Sequence, residues 1–314
     1  MTSYLMPRLL SFIVAGTVLT SLVTFVASIN AAEQTASRLI SPVPGTIVAT
    51  AGANLRECPR ADCSVRGVVL LGERVGILGE TDNGFLPVEW GAMRGWLWGL
   101  YVATPTGGTP ELRGGQAGCQ RVALIFNIGV GAETRMPILD YLVRESVPAT
   151  LFPMGWWAEE NPDLLQRMGK MDLAIGSHGD IRGELTQRDD VDVSNDVRRS
   201  FATIEAAIGR DPEPYFTPYA ADMDERVRAL VAKQGYLPVA WEVPAADYGP
   251  EATADSVYLR VVPNVYDGAI VEFHLDAPAS ETSTEIALPW IVDNLREKGY
   301  EFVTIPEMAT PCAG

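Results

Sequence analysis

The stretch Arg121-Val-Ala-Leu-Ile-Phe-Asn-Ile-Gly-Val-Gly131 decides the fold of the larger part of this chain. Its apolar run, 122–126, predicts a buried strand, and the glycines after it predict a turn. Strand patterns that alternate with helix patterns follow to the end of the chain. In a barrel of parallel strands, chemistry occurs where the strands end. Asn127 and Ile128 stand at such an end, so their side chains decide what the protein can do.

Seven apolar runs of strand length alternate with helical patterns. The predicted strands are 122–126, 149–152, 173–177, 214–216, 237–241, 269–273 and 302–304. The predicted helices are 136–145, 162–169, 194–208, 224–234, 256–262 and 285–298. Strands that alternate with helices indicate a parallel sheet. Their number and regularity favour a (β/α)7-type distorted barrel over an open sheet.

Upstream of this region, short β-type runs are separated by glycine turns. They lie at 46–50, 68–71, 74–78, 85–90 and 95–101. Many short strands with regular turns indicate a small all-β barrel. The Gly- and Pro-containing stretch that follows predicts a flexible linker. We therefore expect a β domain at 46–102, a linker at 103–118 and an α/β domain at 119–314.

Three short motifs in the β domain form one pattern: Asn54-Leu-Arg56, Gly72-Glu-Arg-Val75 and Gly95-Trp-Leu97. This pattern resembles the bacterial SH3 domain family. The resemblance implies an SH3-like barrel that binds cell-wall glycan or peptide. The alternative is that the aromatic residues of this domain only fill a small core and form no ligand groove.

Residues 1–32 are apolar or small apart from a few polar positions, carry Arg8 as their only charged side chain and close with Ala31-Ala32. This composition is typical of a secretory signal peptide. The apolar run is also long enough to remain as a single membrane anchor. In both cases we expect the body of the protein to lie outside the cytoplasm, either secreted or anchored by this segment.

Charge and cysteine content limit the class of protein. The net charge of −16 argues against nucleic-acid binding, because phosphate binding needs clustered Lys and Arg. It also argues against a basic membrane-binding patch, which leaves the N-terminal segment as the expected membrane contact. The 4 cysteines of an exported chain indicate disulfides. We expect the pairs Cys58–Cys63 and Cys119–Cys312, with free buried thiols as the alternative.

Polar side chains follow several of the predicted strands: His178, Tyr219, Asp247 and His274. The chain has only 2 histidines, and both fall at strand ends. A single histidine in such a place is usually a structural loop residue. Two of them at the same edge of a barrel indicate a functional site.

The α/β region carries five motifs in a fixed order. They are Ile125-Phe-Asn-Ile-Gly129, His178-Gly-Asp-Ile-Arg182, Phe216-Thr-Pro-Tyr219, Trp241 followed by Asp247, and Val271-Glu-Phe-His274. Together with the scaffold between them, these motifs resemble the polysaccharide deacetylase (NodB homology) family over about residues 119–310. The resemblance implies a hydrolase that removes acetyl groups from N-acetyl sugars or acetylated polysaccharide with a divalent metal.

The chemistry of that family assigns a role to each motif. One carboxylate acts as base on a metal-bound water, and a second carboxylate and two histidines hold the metal. An arginine orients the base. A backbone N–H near the Pro-Tyr turn stabilises the oxyanion together with the metal. The last histidine, held by an aspartate, protonates the leaving amine.

This chain departs from the family at several of those positions. The base falls on Asn127, an amide that accepts no proton, and the metal carboxylate falls on Ile128. The first metal histidine is retained as His178. The second is Arg182, whose permanent charge repels a metal ion. The arginine that orients the base falls on Phe216.

The rest of the implied site is retained as Tyr219, Asp247 and His274. Asp180 and Asp276 are the obvious carboxylates that could replace a lost ligand. One histidine with one such carboxylate is a thin ligand set for zinc. We therefore expect no resident metal, with zinc or another divalent ion as the alternative if the family activity survives.

Three interpretations follow. The first is a degenerate module that binds cell-wall glycan or peptidoglycan, with the SH3-like domain as a second binding unit. The second is an active hydrolase of carbon–nitrogen bonds that deacetylates N-acetyl sugars through an altered site. The third is a metal-free acid–base site for another reaction, built on the retained catalytic positions Asp247 and His274.

The first interpretation names its contacts with the glycan. The candidate substrate-binding residues are His178, Arg182, Tyr219 and Trp241. Trp156, Trp157 and Tyr248 are further aromatic side chains near strand ends that could stack on a sugar ring. Packing in the core or at the rim is the alternative for each aromatic residue.

Overall fold

The computed structural model describes residues 41–312 of the chain. The predicted signal or anchor at 1–32 lies outside them. Among the described residues no helix has both the length and the apolar character that crossing a membrane requires. From Pro42 onward the chain forms one compact unit that contains a small β region and a larger α/β region.

The β region consists of antiparallel strands around a small apolar core. The strands are β1 (Val43–Ile47), β2 (Gly52–Arg56), β3 (Val65–Leu70), β4 (Arg74–Ile77), β5 (Phe85–Trp90), β6 (Met93–Trp98) and β7 (Val102–Ala103). They pair in the order β3-β2-β6-β5-β4-β1-β7. The buried core includes Leu55, Val69, Val88 and Leu97. The all-β architecture predicted for this region is confirmed.

Two strand assignments in this region differ from the prediction. The strand predicted at 46–50 lies earlier, as β1, because Ala49 has a φ of 60° that ends the extended backbone. Strand β2 was not predicted, since its two inward residues, Ala53 and Leu55, give only a short apolar alternation.

The α/β region follows with short strands and longer helices. Its strands are β8 (Arg121–Ile128), β9 (Thr150–Pro153), β10 (Ala174–Ile175), β11 (Tyr215–Phe216), β12 (Leu237–Pro238), β13 (Val243–Pro244), β14 (Ala269–His274) and β15 (Glu301–Val303). Its helices are α1 (Met136–Arg144), α2 (Gly155–Glu160), α3 (Pro162–Met168), α4 (Asp190–Ile208), α5 (Glu225–Lys233), α6 (Ala254–Val261), α7 (Thr284–Glu297) and α8 (Ile305–Met308).

Strand β8 lies at the centre of this region. It pairs in parallel with β14 on one side, and on the other with β15 at its start and β9 at its end. Beyond β9 and β10, a single bridge between Ser177 and Phe216 leads to β11 and β12. Strand β13 pairs with β14. This irregular series of parallel strands agrees with the distorted barrel that the sequence predicts.

The strand predicted at 237–241 is present as β12, and its hydrogen bonding continues past Pro238, where the Val239 N–H donates to the carbonyl of Phe216 (2.8 Å). Strand β13 follows as a separate short strand. The structure also adds α2 and α8, which have 6 and 4 residues and are too short for a clear helical period.

The alternation of side chains along β8 positions the site. Phe126 and Ile128 pack outward in the apolar layer between strands and helices. Ile125 faces the barrel interior, and Asn127 continues that inward row. Of the two residues at the end of this strand, only Asn127 therefore reaches the cavity above the barrel.

The segment 103–118 is held against the barrel at Leu112. This side chain is 1% exposed. Its N–H donates to the carbonyl of Pro238 (2.8 Å), and its own carbonyl accepts from the N–H of Ala240 (2.9 Å). In contrast to the flexibility predicted from composition, this part of the segment docks as an extra strand position. The sequence did not indicate this contact, because one apolar residue among polar and glycine neighbours gives no periodic pattern.

The β region and the barrel are joined by direct contacts as well. The Ala49 N–H donates to the carbonyl of Ala232 (2.9 Å), and the Trp98 indole donates to the carbonyl of Ala309 (2.7 Å). Both expected disulfides are present, Cys58–Cys63 and Cys119–Cys312, with Cα atoms 5.8 and 6.0 Å apart. The second ties the approach to β8 to residues beyond α8.

Docking of the 103–118 segment is tested by Leu112→Ala. Loss of this buried side chain should lower the free energy of unfolding by about 2–5 kcal/mol in a urea titration. Leu259→Ala is the matched control, because that leucine is 65% exposed on α6, and it should change stability by less than about 0.5 kcal/mol. Equally small effects of both changes would show that the segment does not dock in solution.

Candidate functional site

The carboxyl ends of the barrel strands surround a cavity of about 530 Å³. The residues singled out from the sequence that line it are Asn127, His178, Arg182, Tyr219, Trp241, Tyr248 and His274. Asp247 is fully buried directly behind His274. The structure thus brings together side chains from distant motifs, as expected when parallel strands end at one edge of a barrel.

Asn127 is bound on both sides by side chains. Its Oδ1 accepts a hydrogen bond from the Thr217 hydroxyl (3.1 Å), and its Nδ2 donates to Glu272 Oε1 (3.3 Å). Thr217 also meets His178 Nδ1 at 2.9 Å. The Asn127 amide is therefore held in one orientation, because Thr217 donates to its oxygen and Glu272 accepts from its nitrogen.

His274 lies between two carboxylates. Its Nδ1 is 2.9 Å from Asp247 Oδ1, and its Nε2 is 3.1 Å from Glu272 Oε1. Asp247 also accepts from the backbone N–H of His274 (3.0 Å) and from the Thr284 hydroxyl. The register places His274 opposite Asn127 on neighbouring strands β14 and β8. A continuous hydrogen-bonded chain thus runs from His178 through Asn127 and Glu272 to Asp247.

Burial and charge shift the pKa values within this network. Burial, reinforced by the charge of His274, lowers the pKa of His178 to about 3, so its ring is neutral. Burial opposes the charge of His274, but Glu272 and Asp247 outweigh it and raise the pKa of that ring to about 9. Burial also raises the pKa of Glu272 to about 7. The cavity floor thus holds an imidazolium between two carboxyl groups.

The family's metal positions do not form a metal site here. Ile128 is fully buried in the outer apolar layer. The Arg182 guanidinium donates to the carbonyls of Gly129 (2.7 Å) and Val130 (2.6 Å), and it lies 4.8 Å from the ring centre of Trp156. A cation therefore stands at the position that the resemblance assigns to a histidine ligand. Within residues 41–312, no three His, Cys, Asp or Glu side chains converge as a ligand set.

The two carboxylates considered as replacement ligands serve other roles. Asp276 accepts from the backbone N–H groups of Gly129, Val130 and Gly131 and so holds the turn after β8. Asp180 pairs with Arg199 at 3.1 Å. Neither carboxylate lines the cavity. The residues present thus do not fit the divalent metal that the resemblance implies.

Aromatic side chains form much of the cavity wall. Tyr219, Trp241 and Tyr248 line it, and Tyr248 is 59% exposed. Trp156 lies outside this cavity against Arg182, and Trp157 is buried in the core. Of the two alternatives left open for Trp157, packing in the core is the one that the structure has, because helix α2 turns its ring inward.

The functional residues that the sequence analysis missed are Thr217 and Glu272. Thr217 lay one position from the residue aligned with the family's arginine, and its small hydroxyl gave no signal of its own. Glu272 was detectable: it is a carboxylate in an otherwise apolar strand, two residues before His274 and so on the same face. An inward-facing charge in such a strand must have a partner.

Comparison with known proteins agrees with this architecture. Residues 114–239 match the family model "Polysaccharide deacetylase", and residues 51–103 match "Bacterial SH3 domain". The peptidoglycan-N-acetylglucosamine deacetylase PgdA of Listeria monocytogenes is 30% identical over 190 residues, which are 60% of this chain. The chain spans only 39% of the length of that relative.

Solved structures show the same fold. The Bc1960 peptidoglycan N-acetylglucosamine deacetylase is 26% identical, with a TM-score of 0.59 over 62% of this chain and 91% of its own. BA3943, described as a CE4 family pseudoenzyme from Bacillus anthracis, is 23% identical, with a TM-score of 0.58 over 63% of this chain and 68% of its own. These likenesses and the two family models agree: the chain contains a region similar to polysaccharide deacetylases, preceded by a region similar to bacterial SH3 domains.

Proposed function

We propose that this protein binds cell-wall glycan, with peptidoglycan as the expected partner, through a deacetylase-type cavity that lacks the family's metal-dependent hydrolysis. The observation that carries the proposal is the replacement of the base and two metal ligands by Asn127, Ile128 and Arg182. The cavity is present, and the polar side chains of its floor are hydrogen-bonded to one another.

The hydrogen bonds of the floor support this proposal. A metal-bound water needs a nearby base and a set of ligands for the metal. Here Asn127 accepts no proton, and the hydrogen bonds of Asn127 and Arg182 are already made to protein atoms. A divalent ion would have to displace contacts that already satisfy these groups. A binding role makes no such demand, because a sugar needs only the open cavity and its aromatic walls.

The domain organisation supports an envelope location. The apolar segment 1–32 and the two disulfides suit an exported protein. Two of the three relatives named above are called peptidoglycan N-acetylglucosamine deacetylases, which suggests glycan of the same class for this cavity. An SH3 domain on the same chain adds a second contact, and two linked weak sites bind more tightly than either alone.

An active hydrolase is the second candidate, and one observation favours it. The Asp247–His274 pair of the family is intact at 2.9 Å, and Glu272 adds a carboxylate to the cavity. An acid–base pair of this kind is what proton transfer to a leaving amine requires. Release of acetate from N-acetylated glycan by the purified protein, abolished by His274→Ala, would establish this function instead.

The first prediction of the proposal concerns metal. After incubation with zinc and removal of free ion, the protein should retain far less than one zinc per chain in elemental analysis, since one histidine cannot hold the ion. The combined change Asn127→Asp and Arg182→His, which leaves the outward-facing Ile128 in place, should increase retention. Far-ultraviolet circular dichroism controls for misfolding, because Asn127→Asp removes the amide that donates to Glu272. Stoichiometric zinc in the natural chain that is lost in His178→Ala would contradict the proposal.

The second prediction concerns the aromatic wall. Trp241→Ala should weaken binding of a glycan oligomer about three- to tenfold in calorimetry, because it removes a ring that lines the cavity. Trp290→Ala is the matched control. That tryptophan is 45% exposed on α7 and lies outside the cavity, so its loss should leave affinity unchanged. Equal losses for both variants would place the glycan elsewhere.

The third prediction concerns protonation. Nitrogen NMR of the two rings should show His274 losing its proton only near pH 9 and His178 remaining neutral above about pH 4. Because the pKa of His274 is raised, its stabilising contribution is complete below about pH 6.5 and is lost as pH rises through 9. His178 behaves oppositely: its contribution is present above about pH 6.5 and is lost as pH falls toward 3.

Removal of the carboxylate supplies the control for this measurement. Glu272→Gln should lower the pH at which His274 loses its proton, since Glu272 contributes to the raised pKa. If both rings titrated near pH 6.5 in the natural chain, the buried network described above would not exist in solution.

A further inference from the structure

We propose that the cavity floor selects a protonated amine over an acetamide, so that the preferred ligand is a glycan carrying a de-N-acetylated amino sugar. This inference rests on the proposed function, because it takes the cavity to hold a sugar residue. It follows from the direction in which the hydrogen bonds of the floor run.

Asn127 sets that direction. Its Nδ2 donates to Glu272 Oε1 (3.3 Å), which leaves its Oδ1 to accept the Thr217 hydroxyl proton (3.1 Å). A hydroxyl has one proton, so Thr217 can only accept from His178 Nδ1 (2.9 Å). The single proton of the neutral His178 ring therefore sits on Nδ1. Its Nε2 carries a lone pair and acts as an acceptor.

Glu272 supplies a second acceptor. Both of its side-chain partners, Asn127 Nδ2 and His274 Nε2, meet the same oxygen, Oε1. The other oxygen, Oε2, accepts from no residue in the described part of the chain. Glu272 lines the cavity although the residue is only 3% exposed. A ligand that enters the cavity therefore meets a carboxylate oxygen with unused capacity.

The acceptors define the chemistry of the ligand. An ammonium group brings three donors and a positive charge, and charge-assisted hydrogen bonds to a carboxylate are the strong ones. An acetamide brings one N–H donor and no charge, and its carbonyl would gain nothing from the acceptors on Glu272 and His178. Tyr219, Trp241 and Tyr248 also line the cavity, and aromatic rings attract a cation electrostatically.

The positive groups of the cavity do not cancel this preference. Glu272 ionises with a pKa of about 7, and once it is ionised the imidazolium of His274 is shared by two carboxylates, Glu272 and Asp247, so this cluster carries one net negative charge. Arg182 directs its guanidinium to the carbonyls of Gly129 and Val130 and stacks on Trp156. A cation bound at Glu272 Oε2 would neutralise the negative charge that the cluster retains. The reaction class that supplies such a ligand is the N-deacetylation of a glycan.

The inference is tested with three β-1,4-linked oligomers of equal length that carry an amine, an acetamide or a hydroxyl at C2 of each glucose-type ring. Binding is measured by calorimetry in 0.15 M salt, which screens the general attraction of the chain's net charge of −16 for a cationic ligand. The amine oligomer should bind about tenfold more tightly than the other two, a difference of about 1.4 kcal/mol.

Glu272→Gln should remove this preference, since it replaces the carboxylate by a neutral amide of the same size. Glu205→Gln is the matched control: it makes the same change in net charge on the exposed side of α4 and should keep the preference. Thermal unfolding shows whether each variant is folded. The ligand series on the natural chain decides the question even if Glu272→Gln is unstable.

The outcomes separate this inference from the proposed function. Equal or tighter binding of the acetamide or hydroxyl oligomer would overturn the selection of an amine and leave glycan binding standing. If the preference for the amine survives Glu272→Gln, the preference comes from the overall negative charge of the protein, and the inference is overturned as well. Binding of none of the three oligomers would overturn both the inference and the proposed glycan-binding function.

Discussion

The parallel pairing of β8 with β14 is the constraint on which the site depends. It sets Asn127 opposite His274 and turns Glu272 toward the same interior. Once these polar side chains are buried together, each must find a hydrogen-bond partner, because an unsatisfied buried group costs more than the bond contributes. The network from His178 to Asp247 gives each of these side chains a partner among protein atoms.

The departures from the family pattern are consistent with one another. An amide at position 127 needs no arginine to orient it, and an arginine left there would be a buried charge without a partner. Phe216 is fully buried instead, and the neighbouring Thr217 supplies the hydroxyl that holds Asn127. Glu272 returns a carboxylate to the cavity at a different place, next to His274. The polar side chains at these positions are thus joined to one another by hydrogen bonds.

The need of buried polar groups for hydrogen-bond partners also separates the residues that face the cavity from those that hold the surrounding loops in place. Asp276 was a candidate ligand by sequence, yet its oxygens are consumed by the N–H groups of the 129–131 turn. That turn carries the carbonyls that anchor Arg182. Asp276 thus holds the 129–131 turn in place, the carbonyls of this turn anchor Arg182, and Arg182 forms part of the cavity wall.

By itself the sequence determined the strand and helix order, the two domain types and the identities at the metal positions, because apolar periodicity and motif chemistry are local properties. It indicated that Asn127, His178 and His274 would meet, since parallel strands end at one edge. Only the tertiary structure decided that Ile128 faces outward, that Leu112 docks on the barrel and that Thr217 and Glu272 complete the network. Those outcomes depend on strand register and side-chain direction, which join residues far apart in the chain and leave no periodic signal in it.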